Sequence, residues 1–160
     1  MAQNNNDIDY SPRALKAKEN FENGFNCCQA TLLAFGDLTG LDPETSCKIA
    51  SSFGGGIGRL REVCGAFSGA CMALGMICGS NDPNDKQSKT NQYKQIQTFA
   101  EQFRRDNGSI ICRELLGLQE KQSEPTPETR TTQYYHKRPC ALLCAYATHT
   151  LENLLAKADE

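Results

Sequence analysis

The sequence predicts an all-α fold, a compact bundle of six to seven helices, and three observations lead there. Apolar residues recur every three or four positions in several segments, as in Tyr93, Ile96, Phe99, Ala100 and Phe103. Helix starts and stops punctuate the chain, with Ser11-Pro12, Asn26, Asp42-Pro43 and Pro139 at starts and Gly24 and Gly108 at ends. No valine-rich alternating run reads as a strand, and no repeat of fixed period is present.

A first helix runs from the Ser11-Pro12 start to the stop at Gly24. Asn26 caps a second, through Gly36, that carries Cys27, Cys28, Ala30, Leu32, Leu33 and Phe35. Asp42-Pro43-Glu44 opens a third, ending near Phe53 before the glycine-rich connection Gly54-Gly55-Gly56. A fourth covers about Val63 to Cys78. Asn81-Asp82-Pro83 opens a long polar fifth, whose Arg104 and Arg105 suit a C-terminus. Ser109 is expected to cap a short sixth helix with Cys112, Leu115 and Leu116. From Gln119 to Arg138 the residues are mostly Gln, Glu, Thr and Pro, which predicts one long polar loop. Pro139 begins the last helix, with Leu142, Cys144, Leu151 and Leu155 on its apolar face.

With 160 residues the chain can bury one real core. The polar, Asn-rich residues 1–10 read as a disordered tail, leaving 11–160 as a single helical, cysteine-rich domain. The net charge of -2, with no basic block, argues against nucleic acid or an anionic membrane surface as partner. No apolar run approaches the roughly 20 residues that span a bilayer. The start has no charged n-region or apolar h-region, so a cytoplasmic location is expected.

Nine cysteines and two histidines stand out against this background. In a reducing compartment structural disulfides are rare, and an odd count cannot pair completely. Metal binding or thiol redox chemistry is favoured. The plain alternative is that many of the cysteines are small buried hydrophobes.

Cys64, Cys71 and Cys78 lie seven apart. On one helix each step climbs about 10.5 Å, too far for a disulfide or a shared mononuclear site. Gly65, Gly69 and Ala73, at intervals of four, suit the close approach of another backbone. More telling are the helix starts. Cys27 and Cys28 follow Asn26, Cys64 opens its helix, Cys112 follows Ser109 by three, and Cys140 follows Pro139. A helix N-terminus favours an anion, so these thiols are expected to have lowered pKa values and to converge on one centre.

Phe25-Asn26-Cys27-Cys28-Gln29-Ala30, Ile49-Ala50-Ser51-Ser52-Phe53-Gly54-Gly55-Gly56-Ile57-Gly58, Cys64-Gly65-Ala66-Phe67-Ser68-Gly69, and Gly108-Ser109-Ile110-Ile111-Cys112-Arg113-Glu114-Leu115-Leu116 follow in order, with Cys140 after them. Over about Phe21 to Leu155 the chain resembles the redox-active protein family named for the pattern C-GCAxxG-C-C. The resemblance implies a small helical protein of bacteria or archaea, with signature cysteines at Cys27, Cys64, Cys112 and Cys140. Some relatives carry haem segments, which implies electron transfer; this chain has no C-x-x-C-H haem attachment motif. Cys28 competes with Cys27, and Cys144 with Cys140, as the working sulfur.

Three functions are weighed. In the first, Cys27, Cys64, Cys112 and Cys140 serve as catalytic, cofactor-binding and metal-ligating residues of an electron-transfer protein. They hold a thiolate-bound metal, most simply an iron–sulfur cluster, and serve a redox partner protein. The second is a dithiol–disulfide oxidoreductase or redox sensor, pairing Cys64 with Cys27 or Cys112 with Cys140. The third is a non-catalytic helical module, a homodimer through the small-residue face. The glycine run is expected to be a tight connection, since no strand or Walker lysine accompanies it. Arg59 and Arg61 are expected in solvent, or beside a Cys64 thiolate. His136 is a minor candidate ligand, and His149 a surface or partly packed residue.

Overall fold

The computed structural model describes residues 4–160; of the expected disordered tail, Met1 to Gln3 lie outside the described residues. The rest of that tail carries a single 3-10 turn at Asn5–Asp7, and Tyr10 lies edge-on to His149 with ring centroids 5.6 Å apart.

The helices are α1 (Pro12–Glu22), α2 (Cys27–Leu33), α3 (Gly36–Thr39), α4 (Pro43–Ala50), α5 (Gly65–Cys78), α6 (Lys86–Asn107), α7 (Cys112–Leu115), α8 (Thr132–Lys137) and α9 (Cys140–Ala158). Among the described residues there is no strand, only an isolated antiparallel bridge between Val63 and Ile111. The all-α expectation holds.

Local chemistry sets the starts. The Ser11 hydroxyl accepts from the Ala14 N–H, and Pro12 occupies the first turn. Asn26 and Gln29 form a reciprocal capping box on α2. Asp42 accepts from the Thr45 N–H at 2.9 Å. At the end of α6, Gly108 takes a left-handed φ of 92°, which closes the helix onto the Arg104 carbonyl. Several boundaries differ from expectation; α6, for one, opens at Lys86 under an Asp85 cap and not at Asn81-Asp82-Pro83. The second helix stops at Leu33 and a separate short α3 follows. The Ser109 hydroxyl accepts from the Ile111 N–H, so α7 begins at Cys112 without a side-chain cap. Within the expected loop, Thr131 caps the short α8.

The core lies where α2, α5 and α9 meet, flanked by α1 and α6. Phe67 stacks on Phe99 at 4.8 Å, and Phe103 bridges Phe67 and Tyr146 edge-on at 5.6 and 5.4 Å. A methyl group on Gly69 would come 2.6 Å from the Cys28 carbonyl oxygen, so α5 and α2 approach backbone to backbone. Ala73 is fully buried on the same stripe. The small-residue face is therefore used inside the chain and is not free for a dimer contact.

The loop before α8 is tied down. Arg130 lies 4.2 Å over the Phe21 ring and donates to the carbonyls of Phe21 and Phe25. The Ser123 N–H donates to the Arg59 carbonyl at 3.0 Å.

Candidate functional site: a four-cysteine cavity

Each signature cysteine is placed by a different local device. Cys27 is the first residue of α2, directly after the capping box. Asn26, besides capping, donates to the Ser51 carbonyl at 3.2 Å, and Gly54 packs against it so closely that a methyl there would sit 2.6 Å from its side chain. Cys64 and Cys112 are set by paired backbone. The Cys64 N–H donates to the Ile110 carbonyl at 2.8 Å, and the Cys112 N–H to the Glu62 carbonyl at 2.6 Å, on either side of the Val63–Ile111 bridge. Cys140 opens α9 after Pro139.

These devices converge. Cys27, Cys64, Cys112 and Cys140 all line one cavity of about 280 Å³. The other five cysteines do not line it. Cys28 is turned into the core, 3.7 Å from the Met72 sulfur. Cys144 is fully buried one turn behind Cys140, with its sulfur 3.6 Å from the Cys27 carbonyl. Cys71 is half-buried on α5, Cys78 exposed at its end, and Cys47 half-buried on α4. All nine are free thiols. Geometry thus separates Cys27 from Cys28 and Cys140 from Cys144.

The electrostatics overturn one expectation. Burial pushes the Cys27 thiol up, and the Gly55 N–H only partly opposes it. Burial holds Cys64 well above the ordinary range, reinforced by the charge of Cys27, against N–H bonds from Phe67 and Ala66. Cys140 is pushed up to about 12, again by burial first, then by the charges of Cys27 and Cys112. The helix starts do supply N–H groups, as expected. Their partial charge is outweighed by the loss of water and by neighbouring sulfurs.

A basic wall faces the sulfurs. Arg59, Arg61, Arg130 and Arg138 line the cavity, and Glu128 is the one carboxylate among its lining residues. Glu128 pairs with Arg138 at 2.7 Å and lies 3.7 Å from Arg59. Arg61 is only 4% exposed, contrary to the solvated reading. It donates through Nε to the Ser123 hydroxyl at 2.9 Å, and its Nη1 lies 3.7 Å from the Cys112 sulfur. In sequence, only the nearness of Arg59 and Arg61 to Cys64 hinted at this wall. Arg130, Arg138 and Glu128 come from the polar loop and carry no local signal.

The remaining candidates fall elsewhere. His136 is exposed and does not line the cavity. His149 accepts from the Ser11 N–H at 3.4 Å, beside Tyr10. Among the described residues no three His, Cys, Asp or Glu side chains gather closely enough to hold a metal ion. No described helix is long and apolar enough to cross a membrane.

No curated protein and no solved structure matches the chain. A family profile matches residues 25–154, which span all four cavity cysteines. The chain belongs to the C_GCAxxG_C_C family, whose description is "Putative redox-active protein".

Proposed function

We propose that Cys27, Cys64, Cys112 and Cys140 hold a redox-active metal centre, an iron–sulfur cluster, and that the protein transfers electrons to or from a partner protein. One observation carries this reading: four thiols from four separate chain segments line a single small cavity. Their chemistry fits the group, since soft thiolate sulfur is the donor that iron–sulfur centres take. Bound there, a cluster would supply one-electron chemistry.

The chain's own residues do the rest. Burial and mutual repulsion make the free thiolates costly, so the sulfurs ionise favourably only against a strong cationic partner. The guanidiniums of Arg59, Arg61, Arg130 and Arg138 offset the negative charge that accumulates on four thiolates. Phe21, Leu115, Leu116 and Leu143 line the same cavity and give it an apolar side.

A dithiol–disulfide cycle is less well supported. Burial keeps Cys27, Cys64 and Cys140 protonated at neutral pH, and the attacking species in thiol exchange is the thiolate. Anaerobic purification with iron and acid-labile sulfide analysis, read beside the visible spectrum, tests the proposal. A coloured protein with iron and sulfide is expected. A colourless, metal-free protein with four titratable cavity thiols overturns it, and one reversible cystine near the glutathione poise would install the dithiol reading.

A further inference from the structure

We propose that the same cavity binds a small oxyanion, with the Arg61 guanidinium as its anchor. The inference goes beyond the metal centre and does not require it.

Arg61 is a cation with 4% exposure, and its guanidinium has two hydrogen-bond partners, the Ser123 hydroxyl and the Cys112 sulfur. Among the described residues no carboxylate forms an ion pair with it, whereas Arg59, Arg113 and Arg138 each have one. Its Nη2 makes no hydrogen bond among them. Nη2 is not among the side-chain atoms sealed from solvent without a partner, and Arg61 lines the cavity, so the guanidinium is open on that side to an anion entering it.

The backbone is bent to put it there. Gly55, Gly56 and Gly58 have φ of 67°, 69° and 58°, and three non-glycine residues share the left-handed region: Ile57 at 65°, Arg59 at 66° and Arg61 at 60°. Each such residue is conformationally costly, the β-branched Ile57 most of all, and strain of this kind gathers at binding sites. The turn is closed by the Arg61 N–H on the Gly55 carbonyl at 3.2 Å and the Glu62 N–H on the Gly56 carbonyl at 2.9 Å. What it achieves is a cation facing inward beside Cys112.

The chemistry of the wall names the ligand class. A planar guanidinium fork matches two oxygens of one anion, and Arg130, also without a carboxylate, lines the same space. At about 280 Å³ the cavity is at the lower end for small-molecule sites, which suits a small anion. Carboxylate, phosphate and sulfate share the required geometry.

Calorimetric titration of the anaerobically purified protein with sulfate, phosphate and acetate, against chloride at equal ionic strength, tests this and separates the three sources. Saturable one-site binding of at least one oxyanion is expected, weakened about tenfold to a hundredfold in R61Q. Iron content is measured on the same samples. No oxyanion binding above chloride overturns the inference, as does unchanged affinity in R61Q. If R61Q alters only iron content or potential, Arg61 serves the sulfurs alone; the inference falls and the metal centre stands. Oxyanion binding by iron-free protein has the reverse meaning. Should R61Q not fold, R61K replaces it: the charge is kept and the fork lost, so several-fold weaker binding is expected, and equal affinity overturns the inference.

Discussion

Gly65 sits directly against Cys27: a methyl group on Gly65 would overlap the Cys27 sulfur and come within 3.0 Å of the Phe53 carbonyl oxygen. The second residue of the C-G-A-x-x-G run thus makes room for a cysteine carried by a different helix.

Gly65→Ala should therefore cost about 1–3 kcal/mol as an overpacked contact, and should also displace the Cys27 sulfur. Gly75, ten residues along the same helix, has nothing within 4 Å of where its methyl would lie. Gly75→Ala should instead stabilise by about 0.5–1 kcal/mol through helix propensity. Urea midpoints of the two variants, with opposite signs, check the pair. Equal shifts would refute the packing account.

Replacing Cys27, Cys64, Cys112 or Cys140 singly by serine should remove most bound iron and the visible chromophore. Cys78→Ser, at an exposed position away from the cavity, should leave both intact. Iron per chain, measured beside the absorption spectrum, decides. Loss of iron in Cys78→Ser would count against the assignment.

How much of this was legible beforehand depends on range. Asn26 with Gln29, Ser11 with Pro12, and Asp42 all cap within three residues, so their chemistry is written locally and the helix starts followed from it. Of the four cavity cysteines only Cys27 follows such a capped start; Cys64 and Cys112 are held by main-chain bonds beside the Val63–Ile111 bridge, and the helix at Cys140 has no side-chain cap. The thiol pKa direction was not legible, because it is set by burial under segments from elsewhere in the chain. Arg130 over Phe21 joins residues 109 apart, and no window of sequence reports such a pair. The Val63–Ile111 bridge escaped for the same reason, and with it the displaced start of α7.

In the metal-free, reduced protein, stability should fall as pH rises above about 9. Cys27, Cys64 and Cys140 have folded pKa values raised above the ordinary 9.0, with Cys140 at about 12. A raised pKa means that the folded state keeps a proton the unfolded chain releases. The contribution of Cys140 is thus fully present below pH 9 and is lost between there and about pH 12, at about 1.4 kcal/mol per pH unit, and Cys27 and Cys64 act in the same direction. Urea midpoints from pH 7 to pH 11 measure it. A flat or rising profile above pH 9 would contradict the burial argument.

Arg130→Ala should free the loop without unfolding the bundle. It removes the contact over Phe21 and the bonds to two carbonyls on the α1–α2 side, together about 1–3 kcal/mol. Limited proteolysis should then cut between residues 119 and 131 faster than in the parent protein, while the α-helical circular dichroism is kept. Unchanged cleavage would show that the loop is held by other contacts.

The antiparallel bridge has one more consequence. Because Val63 and Ile111 are stitched together by main-chain atoms, everything from α5 through α6 is a detour that departs from and returns to a single knot. The spacing of Cys64 and Cys112 is fixed at that knot and not by the length of the excursion. A change in the length of the polar N-terminal half of the 22-residue α6 therefore leaves the Val63–Ile111 pairing, and the two cysteines beside it, where they are.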